Sequence, residues 1–400
     1  MAEHSHQPQA RRSFLRLTAG AALVVALGAC RIIPGASAGR EPPPPPPQAK
    51  PQEEARANPN FPQGETRNRV AVLVPLTGPN AGVGTSISNS AQMALADSQS
   101  QRIRLTVYDT GKGAGAAAQQ AIAEGNALIL GPLLADEARE VAPIAKRASV
   151  PVISFSNDVA VAGGGVYVIG FNPGQSIERV VSHARSEGVE RFAGLVPEGD
   201  YGRRSFEALG RAVQRSGGQL VATESFGRTP QSLRSAVIRL NAEAPYDAVL
   251  IADNGKIAMS AAATIRTGPS RQARILGTEL WRSETGLTAS APMRGSWFAA
   301  APENMFSQLR TRYRARYGKT PYRLASLGYD AVLLAVRIGN EWRIGRPFPE
   351  GELWNQEGFT GVDGAFRFGR DGIADRQLEV VQVNTGGFVT VSPAPRGFSR

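Results

Sequence analysis

Cysteine is almost absent from this chain of 400 residues; the single thiol is Cys30. With no second cysteine there is no intrachain disulfide, so the fold is not stapled as small secreted domains are. Histidine is nearly as scarce. His4 and His6 lie close to the start, and His183 sits in a helical pattern whose neighbours Arg179, Ser182 and Arg185 read as a solvated face. A His/Cys metal cluster has no ligands to draw on, and a Ser-His-Asp triad would have to recruit that one surface-like histidine. No metal, no cofactor and no catalytic set is expected, and the chain reads as a non-enzyme. Past residue 30, long apolar runs are missing too, and no segment approaches the ~20 residues of a membrane-spanning helix.

The start of the chain carries an address. Arg11-Arg12-Ser13-Phe14-Leu15-Arg16 is a twin-arginine pair with a hydrophobic couple behind it, and an apolar run from Leu17 to Ala29 follows. That run is too short to span a bilayer and has the layout of an export signal. Leu27-Gly28-Ala29-Cys30 resembles a bacterial lipobox, in which the cysteine is acylated and becomes the mature N-terminus. Residues 1–29 are therefore expected to be an export signal and Cys30 a lipid attachment site in the periplasm, on the inner or the outer membrane. Residues 30–68 read as a tether, with an unbroken proline run from Pro42 to Pro47 and no apolar periodicity. At about 3.1 Å per residue of polyproline II, it reaches on the order of 100 Å when straight.

Formal charge is +11, and +9 without residues 1–29, which carry Arg11, Arg12 and Arg16 against Glu3. The basic residues are nearly all arginine and are interleaved with carboxylates, a pattern that does not point to nucleic acid.

From Arg69 the pattern changes. Val70-Ala71-Val72-Leu73-Val74 is a continuous apolar run, the mark of a strand buried on both faces of a parallel sheet. A glycine-rich turn through Gly82 and Gly84 leads into a helix, and the unit repeats. Strands at Ile103 to Tyr108, Ala127 to Leu130 and Val150 to Phe155 alternate with helices. A second series starts near Asn172-Pro173, with strands at Phe192 to Val196, Leu220 to Phe226, Ala248 to Ala252 and Arg274 to Gly277. Two such series predict two doubly wound, Rossmann-like α/β lobes. Lobe 1 is expected to comprise about 69–171 and 297–345, and lobe 2 about 172–296 and 359–392. A (β/α)₈ barrel is the competing fold, and the β-rich ending from Phe359 to Val391 fits it poorly.

Val70 to Pro79, Leu130-Gly131-Pro132-Leu133, Val150-Pro151-Val152-Ile153-Ser154, Gly199-Asp200-Tyr201-Gly202 and Tyr329-Asp330-Ala331 resemble the type 1 periplasmic binding proteins, in the leucine-binding branch. The resemblance covers about 69–392. With the lipoprotein leader, the proline-rich tether and the run Phe359 to Phe368, the chain is most similar to penicillin-binding protein activators. The resemblance implies two lobes joined by three crossing strands, with a ligand cleft at the carboxyl ends of the strands that closes by hinge motion.

The loops that would line this cleft are 76–85, 133–137, 154–158, 198–202, 253–256 and 278–281. Their candidate ligand-binding residues are Thr77, Ser154, Ser156, Asn157, Tyr201, Asp253 and Glu279. Amino-acid binders of the family fix the substrate carboxylate with hydroxyls after the third and fourth strands. Here Leu133-Leu134-Ala135-Asp136-Glu137 and Asp158 stand in those loops, and acidic side chains repel a carboxylate. A free amino acid is thus disfavoured, although Tyr201 and Glu279 retain the means to hold an ammonium group. The implied partner is a bifunctional penicillin-binding protein; the alternative is an ABC permease served with a small polar solute. Gly111-Lys112-Gly113 lacks phosphate-loop spacing, and Asp109-Thr110-Gly111 has no second copy to make a protease dyad.

Overall fold

The computed structural model describes residues 57–398, which lie within one compact unit. The export signal, Cys30 and the proline run lie outside the described residues. In the first lobe the elements are β1 (Asn68–Val74), α1 (Ala81–Ser98), β2 (Ile103–Asp109), α2 (Ala114–Ala123), β3 (Leu128–Leu130), α3 (Ala135–Arg147), β4 (Val152–Ser154) and β5 (Val166–Val168). The strands form one parallel sheet in the order β2-β1-β3-β4-β5. β1 alternates its side chains between two cores. Val70, Val72 and Val74 face α1 and the later helices, while Ala71 and Leu73 face α2 and α3. A strand covered on both sides must be apolar at every position, which is why the period-2 pattern is missing.

The second lobe continues with α4 (Pro173–Ser186), β6 (Arg191–Pro197), α5 (Asp200–Arg215), β7 (Gln219–Phe226), α6 (Pro230–Glu243), β8 (Ala248–Ile251), α7 (Gly255–Ile265), β9 (Arg274–Gly277) and β10 (Trp297–Ala300). The chain then returns to the first lobe as α8 (Asn304–Tyr317) and α9 (Ala325–Gly339), the latter packed along α1. β11 (Phe359–Gly361), β12 (Gly364–Phe368) and β13 (Ala374–Arg376) make a small antiparallel sheet, and β14 (Glu379–Asn384) with β15 (Gly387–Ser392) closes the second sheet. That sheet runs β15-β14-β10-β9-β8-β6-β7, with β14 alone running against the other strands.

Several expectations need correction. Trp297–Ala300 pairs with β9 and β14, so it belongs to the second lobe and not the first. Conversely, Phe359, Phe366, Phe368 and Ala374 of the small sheet pack into the first lobe's core. Residues 57–67, expected as free tether, lie against the first lobe. Asn58 donates its backbone N–H to the Gly345 carbonyl at 2.9 Å and its side-chain amide to the Gly125 carbonyl at 3.1 Å, and Glu65 pairs with Arg104 at 3.1 Å. Gly82 and Gly84 lie inside α1 and not in a turn. The reason is steric. A Cβ on Gly84 would stand 1.8 Å from the Pro75 carbonyl oxygen, so α1 can start against the strand end only with glycine there. The second lobe repeats the device, since a Cβ on Gly202 would stand 1.5 Å from the Pro197 carbonyl oxygen.

Candidate functional site

Three segments cross between the lobes: 169–172, 301–303 and 377–378. An arginine grips each one by its carbonyl. Arg376 donates to Ile169 O at 2.7 Å, Arg282 to Ala301 O at 3.3 Å and Arg179 to Leu378 O at 2.9 Å. Buried carboxylates balance the first two cations: Arg282 pairs with Glu379, and Arg376 lies in the field of Asp330 and Asp363. Asp330 accepts the N–H groups of Val362 at 2.6 Å and Asp363 at 3.3 Å, and burial, then the neighbouring Asp363 charge, push its carboxyl well above the usual range.

Beside the 169–172 crossing, between the lobes, lies a cavity of about 380 Å³. The first lobe supplies Leu133 and Leu134 from the loop after β3, Phe155 and Asn157 from the loop after β4, and Asn80 and Val83 at the start of α1. From the second come Glu279, Leu280 and Ser283. Phe171 of the crossing and Arg323 with Leu324, just before α9, complete the wall. Most of this lining is apolar. Its charges are Glu279 and Arg323, and Arg323 is already committed to Asp363 at 2.7 Å while its guanidinium lies over the Phe306 ring at 4.2 Å.

Glu279 opens a 3₁₀ turn after β9, a position fixed by Trp281, whose buried indole donates to the Asp253 carbonyl at 2.9 Å. Glu279 is partly exposed to the cavity, yet protein surrounds its carboxylate, and this desolvation pushes its pKa up to about 7 against the hydrogen bond it accepts from Ser176 Oγ. Tyr201 stands beside it, 3.4 Å from Thr278 Oγ1; burial, then the Glu279 charge, keep its phenol protonated far beyond the usual range.

Of the seven residues expected to contact a ligand, Asn157 and Glu279 line the cavity. Ser154 is fully buried and donates to the Pro132 carbonyl at 3.1 Å, while Ser156 Oγ accepts the Asp158 N–H at 3.0 Å. Thr77 is tied to Asp109 at 2.9 Å. Asp253 accepts the Asn254 N–H at 2.7 Å and pairs with Arg228 at 3.6 Å, outside the cavity wall. Glu198, Gly199 and Gly202 of the loop 198–202 line a separate surface hollow beside the exposed Phe206, while Tyr201 lies outside that hollow and outside the cavity wall. His183, expected on a solvated face, is buried against Trp297 with ring centroids 4.8 Å apart. The sequence reading missed Arg323 and Phe171. Phe171 follows β5, a strand the sequence pattern does not reveal, and Arg323 lies ahead of α9, so the strand-end rule reached neither.

Asp158 does not face a ligand either. It accepts from Arg139 of α3 at 2.7 Å and pairs with Arg204 of α5 at 3.0 Å, which makes it a bridge from the first lobe to the second. Among the described residues no group of three or more His, Cys, Asp or Glu is arranged to hold a metal ion, and no helix is long and apolar enough to cross a membrane.

Two parallel α/β lobes, three crossings and a cavity between them define a two-lobed binding protein. Residues 68–387 match the family model described as periplasmic binding protein, and the chain belongs to that family. An uncharacterized protein of Rickettsia prowazekii (strain Madrid E) is 26% identical over 170 residues, 42% of this chain and 46% of the relative, so the match spans about half of the relative's length. Among solved structures, a putative branched-chain amino acid ABC transporter protein of Rhodospirillum rubrum aligns with a TM-score of 0.72 at 18% identity, covering 81% of this chain and 100% of that one. The C-domain of LpoA from Haemophilus influenzae, described as a regulator of PBP1A, aligns with a TM-score of 0.64 at 19% identity, over 81% of this chain and 100% of that one. At such identities these likenesses concern the fold.

Proposed function

We propose that this chain is a non-enzymatic, lipid-anchored periplasmic protein that docks on a peptidoglycan synthase, a bifunctional penicillin-binding protein, and raises its activity. One observation carries the reading. Of the hydroxyls that would meet a solute's charged ends, Ser154 donates to the first lobe's own backbone and Ser156 is buried and accepts the Asp158 N–H, and the lobes are already bridged by Asp158 and Arg204. A cleft in which the fourth-strand hydroxyls are buried in the first lobe's own loop gains little by capturing an amino acid's carboxylate. The fold shared with the LpoA C-domain supports the same direction. So does the proline-rich run of residues 42–47, which sets reach and effective concentration for a membrane-bound partner.

A second reading, a substrate-binding protein of an ABC transporter, is favoured by the cavity of about 380 Å³ and by Glu279 in its wall. A solute with an apolar body and a cationic or donor group facing Glu279 fits that lining. Purified chain mixed with the periplasmic part of a bifunctional penicillin-binding protein from its own organism decides between them. Binding with faster glycan polymerisation or crosslinking is expected. Failure to bind or stimulate any such synthase, together with micromolar binding of a solute that Glu279→Ala weakens, replaces the first reading with the second.

A further inference from the structure

β9 runs from the far end of the second lobe toward the cleft. Arg274 at its start is therefore separated from Glu279 by the length of the strand, about 3.3 Å per residue. At that far end lies a cavity of about 470 Å³ walled by Arg266, Arg271, Arg274 and Arg294 together with Gln272 and Ala273. Two of the arginines are held rigidly. Arg266, at the C-terminal cap of α7, donates Nε to Pro292 O at 3.1 Å and Nη1 to the carbonyls of Arg271 and Ala273, each at 2.7 Å. Arg274 donates to the Gly295 carbonyl and stacks on Trp297, its guanidinium carbon 4.0 Å from the ring centroid. The other two, Arg271 and Arg294, are exposed, and their side chains have no carboxylate partner among the described residues.

Elsewhere in the chain arginines meet acids, as in Arg139 with Asp158, Arg215 with Glu178 and Arg239 with Glu224. Here the sequence withholds them. No Asp or Glu occurs from Asn254 to Thr278 or from Thr285 to Pro302, the two stretches that build the hollow. Glu187 is the carboxylate whose field reaches Arg274, and it forms no ion pair with it. Burial, and then the charge of Arg274, work against the Arg266 cation. Four like charges around one concavity repel each other, and an anion seated among them relieves that repulsion. Guanidinium groups in forked geometry suit phosphate oxygens in particular.

We infer that this arginine-walled hollow, at the opposite end of the second sheet from the cleft, binds a phosphate-class anion carrying two or more negative oxygens. The chemistry is shared by a soluble phosphorylated compound and by the headgroup of an anionic lipid. The site stands independently of what occupies the cleft.

The test uses the full chain, its Arg271→Glu/Arg294→Glu variant, and an Arg314→Glu/Arg316→Glu variant that makes the same charge change on exposed residues of α8. Pyrophosphate is titrated calorimetrically, and flotation is measured with vesicles of phosphatidylcholine alone or mixed with phosphatidylglycerol. A lipid anchor contributes equally to both vesicle types. Pyrophosphate affinity that falls at least tenfold in the first variant and holds in the second supports the site with a soluble ligand. Weak pyrophosphate binding throughout, with a phosphatidylglycerol preference lost only in the first variant, supports it with a lipid headgroup. The inference is overturned if neither probe separates the wild type from Arg271→Glu/Arg294→Glu, or if the α8 variant loses as much. The milder Arg271→Gln/Arg294→Gln pair, which removes the cations without adding acids, should weaken the same probe and guards against a folding defect.

Discussion

Arg204 of α5 reaches across from the second lobe to the buried Asp158 of the first at 3.0 Å, while Arg139 holds the other oxygen of the same carboxylate at 2.7 Å. A carboxylate shared in this way works as a latch between lobes whose covalent joins are three narrow crossings. Arg204→Met should cut this bridge between the lobes and leave the Arg139 pair intact. Small-angle scattering should then report a larger radius of gyration with unchanged helix and strand content. Asp158→Ala should in addition cost about 2 kcal/mol in denaturant melts, because two arginines lose a charged acceptor. An unchanged scattering profile for Arg204→Met would show that the crossings alone set the lobe angle.

Glu279 gives the fold a pH dependence of known sign. Its carboxyl is raised from 4.5 to about 7 by burial. Between those values the folded chain keeps a proton that the unfolded chain has released, so stability falls as pH rises through that window and levels off above it. Asp330, raised by burial and by Asp363, adds a slope of the same sign. Glu279→Gln should flatten part of the fall and melt at a higher temperature than the wild type at pH 8. Parallel melting curves for the two proteins from pH 4.5 to 8 would contradict the assignment.

The glycines that seat the helix after the first strand of each sheet-forming series, α1 after β1 and α5 after β6, give a stability prediction. Gly84→Ala puts a methyl group where 1.8 Å separates it from a backbone oxygen, and Gly202→Ala does so at 1.5 Å. Neither neighbour is a flexible side chain, so the helix itself must shift. Each substitution should destabilise its lobe by about 3 kcal/mol, read from urea midpoints. Gly210→Ala is the control, because nothing lies within 4 Å of its added methyl.

Cys30 follows Leu27-Gly28-Ala29. Cys30→Ala should abolish lipidation and cleavage at that point, seen as a precursor-sized species without label from a fatty-acid precursor. A labelled mature protein from the variant would remove the lipid anchor from the functional proposal.

The sheets were legible in the sequence because their strands are covered on both faces, so runs such as Val70 to Val74 and Ala248 to Ile251 stand out without any partner in view. β5 was not legible. It is three residues long and follows Gly163-Gly164-Gly165, where no pattern has room to repeat. Lobe membership also failed at β10 and at the small sheet, because the choice rests on hydrogen bonds to strands distant in sequence. The site was half legible. Strand ends located Asn157 and Glu279, but the sequence does not show whether a hydroxyl is already spent. Ser154 answers to a carbonyl 22 residues away and Thr77 to a carboxylate 32 residues away. Arg323 came from a loop ahead of α9, outside any strand-end rule.

The seating of residues 57–67 fixes how force enters the body. Asn58 grips Gly125 and Gly345, Asn60 holds the Ile122 carbonyl at 3.1 Å and Glu65 holds Arg104, all on the first lobe. A pull on the chain upstream of Ala57 is carried into the flank of that lobe and bypasses the three crossings. On the anchoring proposed above, the first lobe is the held half and the second, with its arginine hollow, the half farther along the chain from the anchor. A change of angle at the crossings would then move the hollow and leave the seat of residues 57–67 in place.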